Sequence, residues 1–409
     1  MSGADPGLEE GAVAESSSIG SVYVHAPFCA RRCGYCDFAV QVRRTGDLEG
    51  WSRALQGELA AVEREGTFRL APRLATLYVG GGTPSLLGPE AMDRLADILG
   101  RERLAGPDLE WTAEANPESL TDEVAAGWRR AGVNRLSLGV QSFDAGVLRW
   151  MGRLHGADGA ADAVGRARRA GIENVSVDLI FALPEKLGRS WSDDLRRTLA
   201  LEVPHVSLYG LTVEAETPLA RRVREGRDPP VDEARYREEF LEAAETLTAA
   251  GYEHYEVSNF ALPGRESRHN GTYWTGEPWL GLGNGAHSYL YPLRRWNLRD
   301  WNAYERAARE GGLAVQDHEV LDAGAARLER VWLGLRTRAG LGLSGLSPRG
   351  HHAVEGWVDQ RWATRADGAV RLTPQGWLLL DRLAVELDSA LDSDTEWTPE
   401  TSSAKPAKT

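Results

Sequence analysis

Apolar residues along this chain gather in short runs, and most runs are followed by a stretch whose apolar positions recur three and four residues apart. The runs Ser21–Val24, Leu74–Val79, Leu109–Ala113, Arg135–Val140, Val175–Phe181 and His205–Thr212 carry the Val, Leu, Ile and Tyr content of strands. Between them Trp51–Glu65, Glu90–Leu99, Asp122–Ala131 and Asp158–Ala170 have helical periodicity, the last stopping at Gly171, where a left-handed terminator belongs. Strand alternating with helix predicts parallel βαβ units, and six of them fit either an open doubly wound sheet or a partial barrel. The polar punctuation separates the two. Cysteines follow the first strand, Gly80–Ser85 the second, Glu114–Pro117 the third and Gln141 the fourth, while Asp178 and Tyr209 lie in the fifth and sixth. Chemistry spread over successive strand ends suits a barrel, whose loops converge on one axis. The predicted fold is therefore α/β: a partial (β/α)6 TIM-like barrel with a small α-rich C-terminal domain.

Composition places boundaries on this scheme. The barrel is expected over residues 20–250. Residues 251–320 form an aromatic and glycine-rich extension in which Trp274, Trp279, Trp296 and Trp301 fall close together. Residues 321–391 form the C-terminal domain, where Thr373 before Pro374 supplies a cap and an N1 proline for a helix. Residues 1–19 and 392–409 are polar and small, and are expected to be disordered. The chain of 409 residues has 42% hydrophobic residues, ordinary for a globular protein, and a net charge of −13. That balance disfavours a phosphate-tracking surface, so no nucleic-acid partner is expected. No segment approaches the ~20 apolar residues of an integral membrane span, and no signal peptide is evident, so a cytoplasmic location is expected.

The three cysteines are the sharpest chemical signal. Cys29, Cys33 and Cys36 are the only cysteines in the sequence, in C-x3-C-x2-C spacing. A disulfide framework is excluded, because that needs pairs spread along the chain. A tight loop presenting three thiolates suits a soft metal centre. Zinc held by three cysteines and His25 is one possibility. A [4Fe–4S] cluster is another, and three thiolates would leave one iron open to an exogenous ligand.

This spacing, with Tyr35 before the last cysteine, resembles the radical S-adenosylmethionine (SAM) superfamily. Within it the stretches YVHAPFC, CGYCDF, LYVGGGTPSLL, EANPESL, RLSLGVQSF, VDLIFALP, YEVSNFA and HNGTYW, spread over roughly Val22 to Leu391, are similar to the HemN/HemW group. The resemblance implies a [4Fe–4S] cluster on Cys29, Cys33 and Cys36, with SAM chelated to the open iron. It implies SAM contacts from Tyr23, Tyr35, Gly81, Gly82, Thr83, Glu114, Gln141, Arg153 and Asp178. A glycine-rich strand exit lets backbone approach a ligand, and an arginine suits a carboxylate. It also implies an electron donor.

Two branches of the group differ in function. The oxygen-independent coproporphyrinogen III dehydrogenases carry a further cysteine two positions beyond the third and a longer N-terminal extension. Here Asp37-Phe38 follows Cys36 and only about twenty residues precede the first strand. Both departures point to the haem-chaperone branch, whose members bind haem and deliver it to client haemoproteins, respiratory enzymes among those the resemblance implies. His269-Asn270-Gly271-Thr272-Tyr273-Trp274 resembles that branch's HNxxYW motif, which makes His269 a candidate iron ligand and Tyr273 and Trp274 candidate walls for the macrocycle. Arg294, Arg295 and Arg299 are candidates for its propionates.

Overall fold

The computed structural model describes residues 18–391. Both termini expected to be disordered lie outside the described residues, except that Ile19 is fully buried and bridges Leu70, so order begins just ahead of the predicted boundary.

The six apolar runs are six parallel strands in chain order: β1 Ser21–Ala26, β2 Thr76–Gly81, β3 Glu110–Ala115, β4 Arg135–Gln141, β5 Asn174–Phe181 and β6 His205–Gly210. The registers place Tyr23 beside Tyr78 and Tyr78 beside Thr112, and shift once, between β4 and β5 at Gly139–Gln141. Both faces are covered, which is why these strands read as near-continuous apolar runs. Helices Leu48–Glu65, Ala91–Leu99, Asp122–Ala131, Gly159–Arg169 and Trp191–Ala200 supply crossovers. Three of these helices start on a side-chain cap, from Asp47, Thr121 and Ser190; Thr121 accepts from Val124 N at 3.2 Å, and Gly132 ends the same helix at φ +122°. Trp51, Trp111 and Trp128 anchor the layer between helices and sheet, each essentially fully buried.

The barrel stays open because the aromatic extension occupies both edges of the sheet. Sequence reading assigned no strands to residues 251–320, yet six are there. β7 Glu253–Glu256 and β8 Asn259–Ala261 extend the β6 edge, while β9 Trp279–Leu282, β10 His287–Leu290, β11 Leu293–Asn297 and β12 Val315–Val320 extend the β1 edge. The twelve-stranded order is β12-β11-β10-β9-β1-β2-β3-β4-β5-β6-β8-β7. β9 runs parallel to β1, placing Leu280 beside Val22. These strands are short, with Gly281 inside β9 and Gly283 directly after it, so no period-2 pattern lasts long enough to read.

A buried carboxylate ties the β1 edge to the helical layer. Glu58, in Leu48–Glu65, accepts hydrogen bonds from Gly283 N at 2.8 Å, Tyr304 Oη at 2.5 Å and the Asn297 side-chain amide. Burial pushes its carboxyl from 4.5 up to about 7, against the three donors that favour the anion.

The C-terminal region is α-rich. Helices Ala323–Arg336, Pro348–Asp359 and Leu380–Ala390 pack with a three-stranded sheet, and Trp377 donates to Leu335 O at 3.0 Å. Thr373 caps Pro374–Trp377 through Gly376 N. Among the described residues no helix is long and apolar enough to cross a membrane.

Candidate functional site

The loops leaving the C-terminal ends of β1 to β6 surround a cavity of about 360 Å³. All three cysteines line it, none of them in a disulfide. Cys29 accepts from Thr83 Oγ1 at 3.5 Å and Cys33 from Arg153 Nη1 at 3.8 Å. Burial raises the thiols of Cys29, to about 11, and Cys36. Among the described residues no three His, Cys, Asp or Glu side chains stand close enough together to hold a single metal ion. Three thiols lining one cavity are the donor set that an iron–sulfur cluster takes. His25 does not complete a zinc set: its Nδ1 meets Tyr23 Oη at 3.1 Å and its Nε2 meets Ala39 O at 3.0 Å.

Eight of the nine residues expected to contact SAM line the same cavity: Tyr35, Gly81, Gly82, Thr83, Glu114, Gln141, Arg153 and Asp178. The ninth, Tyr23, stacks on Tyr78 and faces a neighbouring cavity instead. Glu114 accepts from Tyr78 Oη at 2.7 Å and Gly81 N at 2.9 Å; burial, aided by Asp178, pushes its carboxyl up to about 7. Asp178 accepts from Ser137 Oγ at 3.0 Å, and burial again raises its carboxyl. Gln141 is held at φ +69°, in the left-handed region, beside a register shift in β4. Backbone strain of this kind persists where surroundings over-determine it, commonly at ligand sites. Arg153 bonds Asn116 Oδ1 at 2.6 Å, yet its buried Nε has no partner among the described residues. An orphaned guanidinium N–H in a cavity with soft sulfur donors fits a carboxylate-bearing cofactor and an iron–sulfur cluster. Sequence reading missed Tyr78 and Asn116, which hold Glu114 and Arg153. Tyr78, on the alternating face of β2 with Gly80, was open to detection by strand period.

Gly81 stands at φ +105°, and a Cβ there would lie 2.2 Å from the His25 ring. Gly81→Ala is expected to cost about 2 kcal/mol or more, as left-handed strain and overlap combine. It should also weaken SAM binding. Thermal unfolding and calorimetric SAM titration check this; wild-type values for both would mean that the glycine turn is not required.

The neighbouring cavity is larger, about 810 Å³, and shares Asp37, Phe38, Gly81 and Glu114 with the first. Tyr273, Trp274, Trp279 and Trp296 face it. Tyr273 packs edge-on against Trp279 at 4.8 Å, and Trp279 stacks on Tyr289 at 4.9 Å. His269, the candidate iron ligand, does not line the cavity. Its Nδ1 bonds Thr76 Oγ1 at 2.8 Å, its Nε2 bonds Tyr273 Oη at 2.8 Å, and its ring stacks beneath Tyr78. Both nitrogens are occupied, so the imidazole fixes Tyr273 from behind. Arg295 is buried over Phe68 and pairs with Glu65, away from the cavity lining.

A partial parallel barrel with three cysteines on the loop after its first strand defines a radical SAM protein, and residues 23–198 match the radical SAM superfamily. The fold is similar to that of coproporphyrinogen III oxidase (HemN) from Escherichia coli, with a TM-score of 0.74 and 22% identity over 91% of this chain and 90% of that one. The sequence is 41% identical to the heme chaperone HemW of Mycobacterium tuberculosis, covering 88% of this chain and 92% of the relative. It is 34% identical to the heme chaperone HemW of Bacillus subtilis, covering 88% and 96%. The chain belongs to the HemW family.

Proposed function

We propose that this protein is a cytoplasmic haem chaperone that holds a [4Fe–4S] cluster and SAM, binds haem, and passes it to client haemoproteins such as respiratory enzymes. The observation that carries the reading is the pair of adjoining cavities. One has three thiols and the charged groups suited to SAM; the other has aromatic walls and a volume within the usual range of roughly 300–1,000 Å³ for ligand sites. Kinship with proteins named heme chaperones supports the choice of haem for the second.

Cys29, Cys33 and Cys36 would hold the cluster, which when bound supplies one-electron reduction, fed by an electron donor. The unpartnered Nε of Arg153 suits the SAM carboxylate, and Asp178 suits ribose hydroxyls. Glu114 braces the Gly81 backbone between the two cavities. Tyr273 and Trp274 offer flat apolar surface to a macrocycle.

The test is anaerobic reconstitution followed by iron and sulfide analysis, haem titration and a coproporphyrinogen III decarboxylation assay. Stoichiometric haem uptake without decarboxylation is expected. Turnover of coproporphyrinogen would replace this reading with the dehydrogenase, and zinc without inorganic sulfide would remove the cluster.

A further inference from the structure

The aromatic cavity offers an accessible imidazole that lies outside the His269–Trp274 motif. His287, the first residue of β10, is exposed on the cavity wall. Its ring stacks on Trp296 at 5.7 Å with planes 24° apart, and neither ring nitrogen has a hydrogen-bond partner among the described residues. Its main-chain carbonyl is anchored by Trp279 Nε1 at 3.0 Å, so the backbone beneath the ring is held. The cavity's other histidine, His25, has both nitrogens engaged.

The cations of the cavity can be sorted in the same way. Arg294 lies between Glu319 at 2.8 Å and Glu329 at 2.6 Å, so its charge is already met. Arg299 lines the cavity without a carboxylate partner among the described residues; its contact is the Asp37 carbonyl at 2.6 Å. A guanidinium with no carboxylate partner at the wall of an aromatic cavity is complementary to a carboxylate on a flat apolar ligand.

We propose that His287 is the protein ligand to haem iron in this cavity and that Arg299 meets a haem propionate, an assignment that rests on the haem-binding reading above. The HNxxYW segment contributes walls: Tyr273 and Trp274 face the macrocycle, and His269 is a positioning residue that orients Tyr273. An imidazole with a free lone pair is the donor that ferric haem takes, whereas a ring bonded through both nitrogens must first break a contact.

Ferric haem titrated into the full-length, anaerobically reconstituted protein tests this by absorption and electron paramagnetic resonance. The wild type is expected to give an imidazole-ligated spectrum. His287→Ala should lose it and bind haem on the order of tenfold or more weaker, since even outer-shell partners are worth about 10- to 100-fold. Free imidazole should restore the spectrum, and His287→Tyr should convert it to a phenolate-ligated one. His269→Ala should keep imidazole ligation with weakened affinity. Wild-type spectrum and affinity in His287→Ala, or loss of the imidazole signature in His269→Ala alone, overturns the assignment. Failure of the wild type to take up haem overturns the haem-binding reading and the assignment with it.

Discussion

Cys33→Ala is expected to abolish iron and sulfide incorporation while leaving the barrel folded. The two remaining thiols cannot hold a cluster that needs three protein ligands when its fourth position is left open. Cys33 lies outside the apolar core and is only partly buried, so little packing is lost with its sulfur. The Arg153 guanidinium would lose one contact and keep Asn116. After anaerobic reconstitution the variant should show background iron and sulfide, no broad visible absorption, and the thermal midpoint of the cluster-free wild type. Wild-type iron and sulfide in the variant would move the cluster elsewhere.

The second large effect lies at Glu58. Glu58→Ala orphans Gly283 N and Tyr304 Oη and leaves the Asn297 amide with only its bond to Gly283 O, all within the edge that builds the aromatic cavity. Leaving a buried donor unmet costs about 1–3 kcal/mol each, so a loss on the order of 3 kcal/mol is expected in denaturant unfolding. Haem uptake should fall as well, because Gly285, Ala286 and His287 follow directly on the segment that Glu58 holds. A pH series adds a finer readout. The carboxyl is raised from 4.5 to about 7 in the fold, so the native state holds its proton more tightly than the unfolded chain does. Its contribution is full below about pH 4.5 and is lost as pH rises through 7. Glu58→Gln should flatten that slope; an unchanged slope would assign the pH dependence to another group.

The barrel was legible because its strands are buried on both faces and its helices carry their own stops. Gly132 and Gly171 both stand at positive φ where the periodicity ends. The cysteines, Glu114, Arg153 and Asp178 were legible because each follows or interrupts a strand, where the fold gathers side chains on one face. The aromatic extension was not. Its strands are short, they pair with segments far away in sequence, and Trp and Tyr serve equally as core and as cavity wall. The surroundings of His269 were hidden for a related reason: a motif fixes which residues occur, but the partners of an imidazole, here Thr76 and Tyr273, come from the fold. Glu58 had a signal that went unread, as it sits on the same helical stripe as Trp51, Leu55 and Val62.

The pairing of β1 with β9 also orders events during synthesis. Residue 21 cannot meet residue 279 until the ribosome has made everything between, which at ~5–20 residues per second takes on the order of tens of seconds. Through that interval the first strand has a bare edge and its three thiols lie beside an unfinished wall. The cavity with Trp279, His287 and Arg299 does not exist until this last parallel partner docks. On the haem-binding proposal, uptake must wait for this docking, and truncations that end before Trp279 should release a product unable to retain haem.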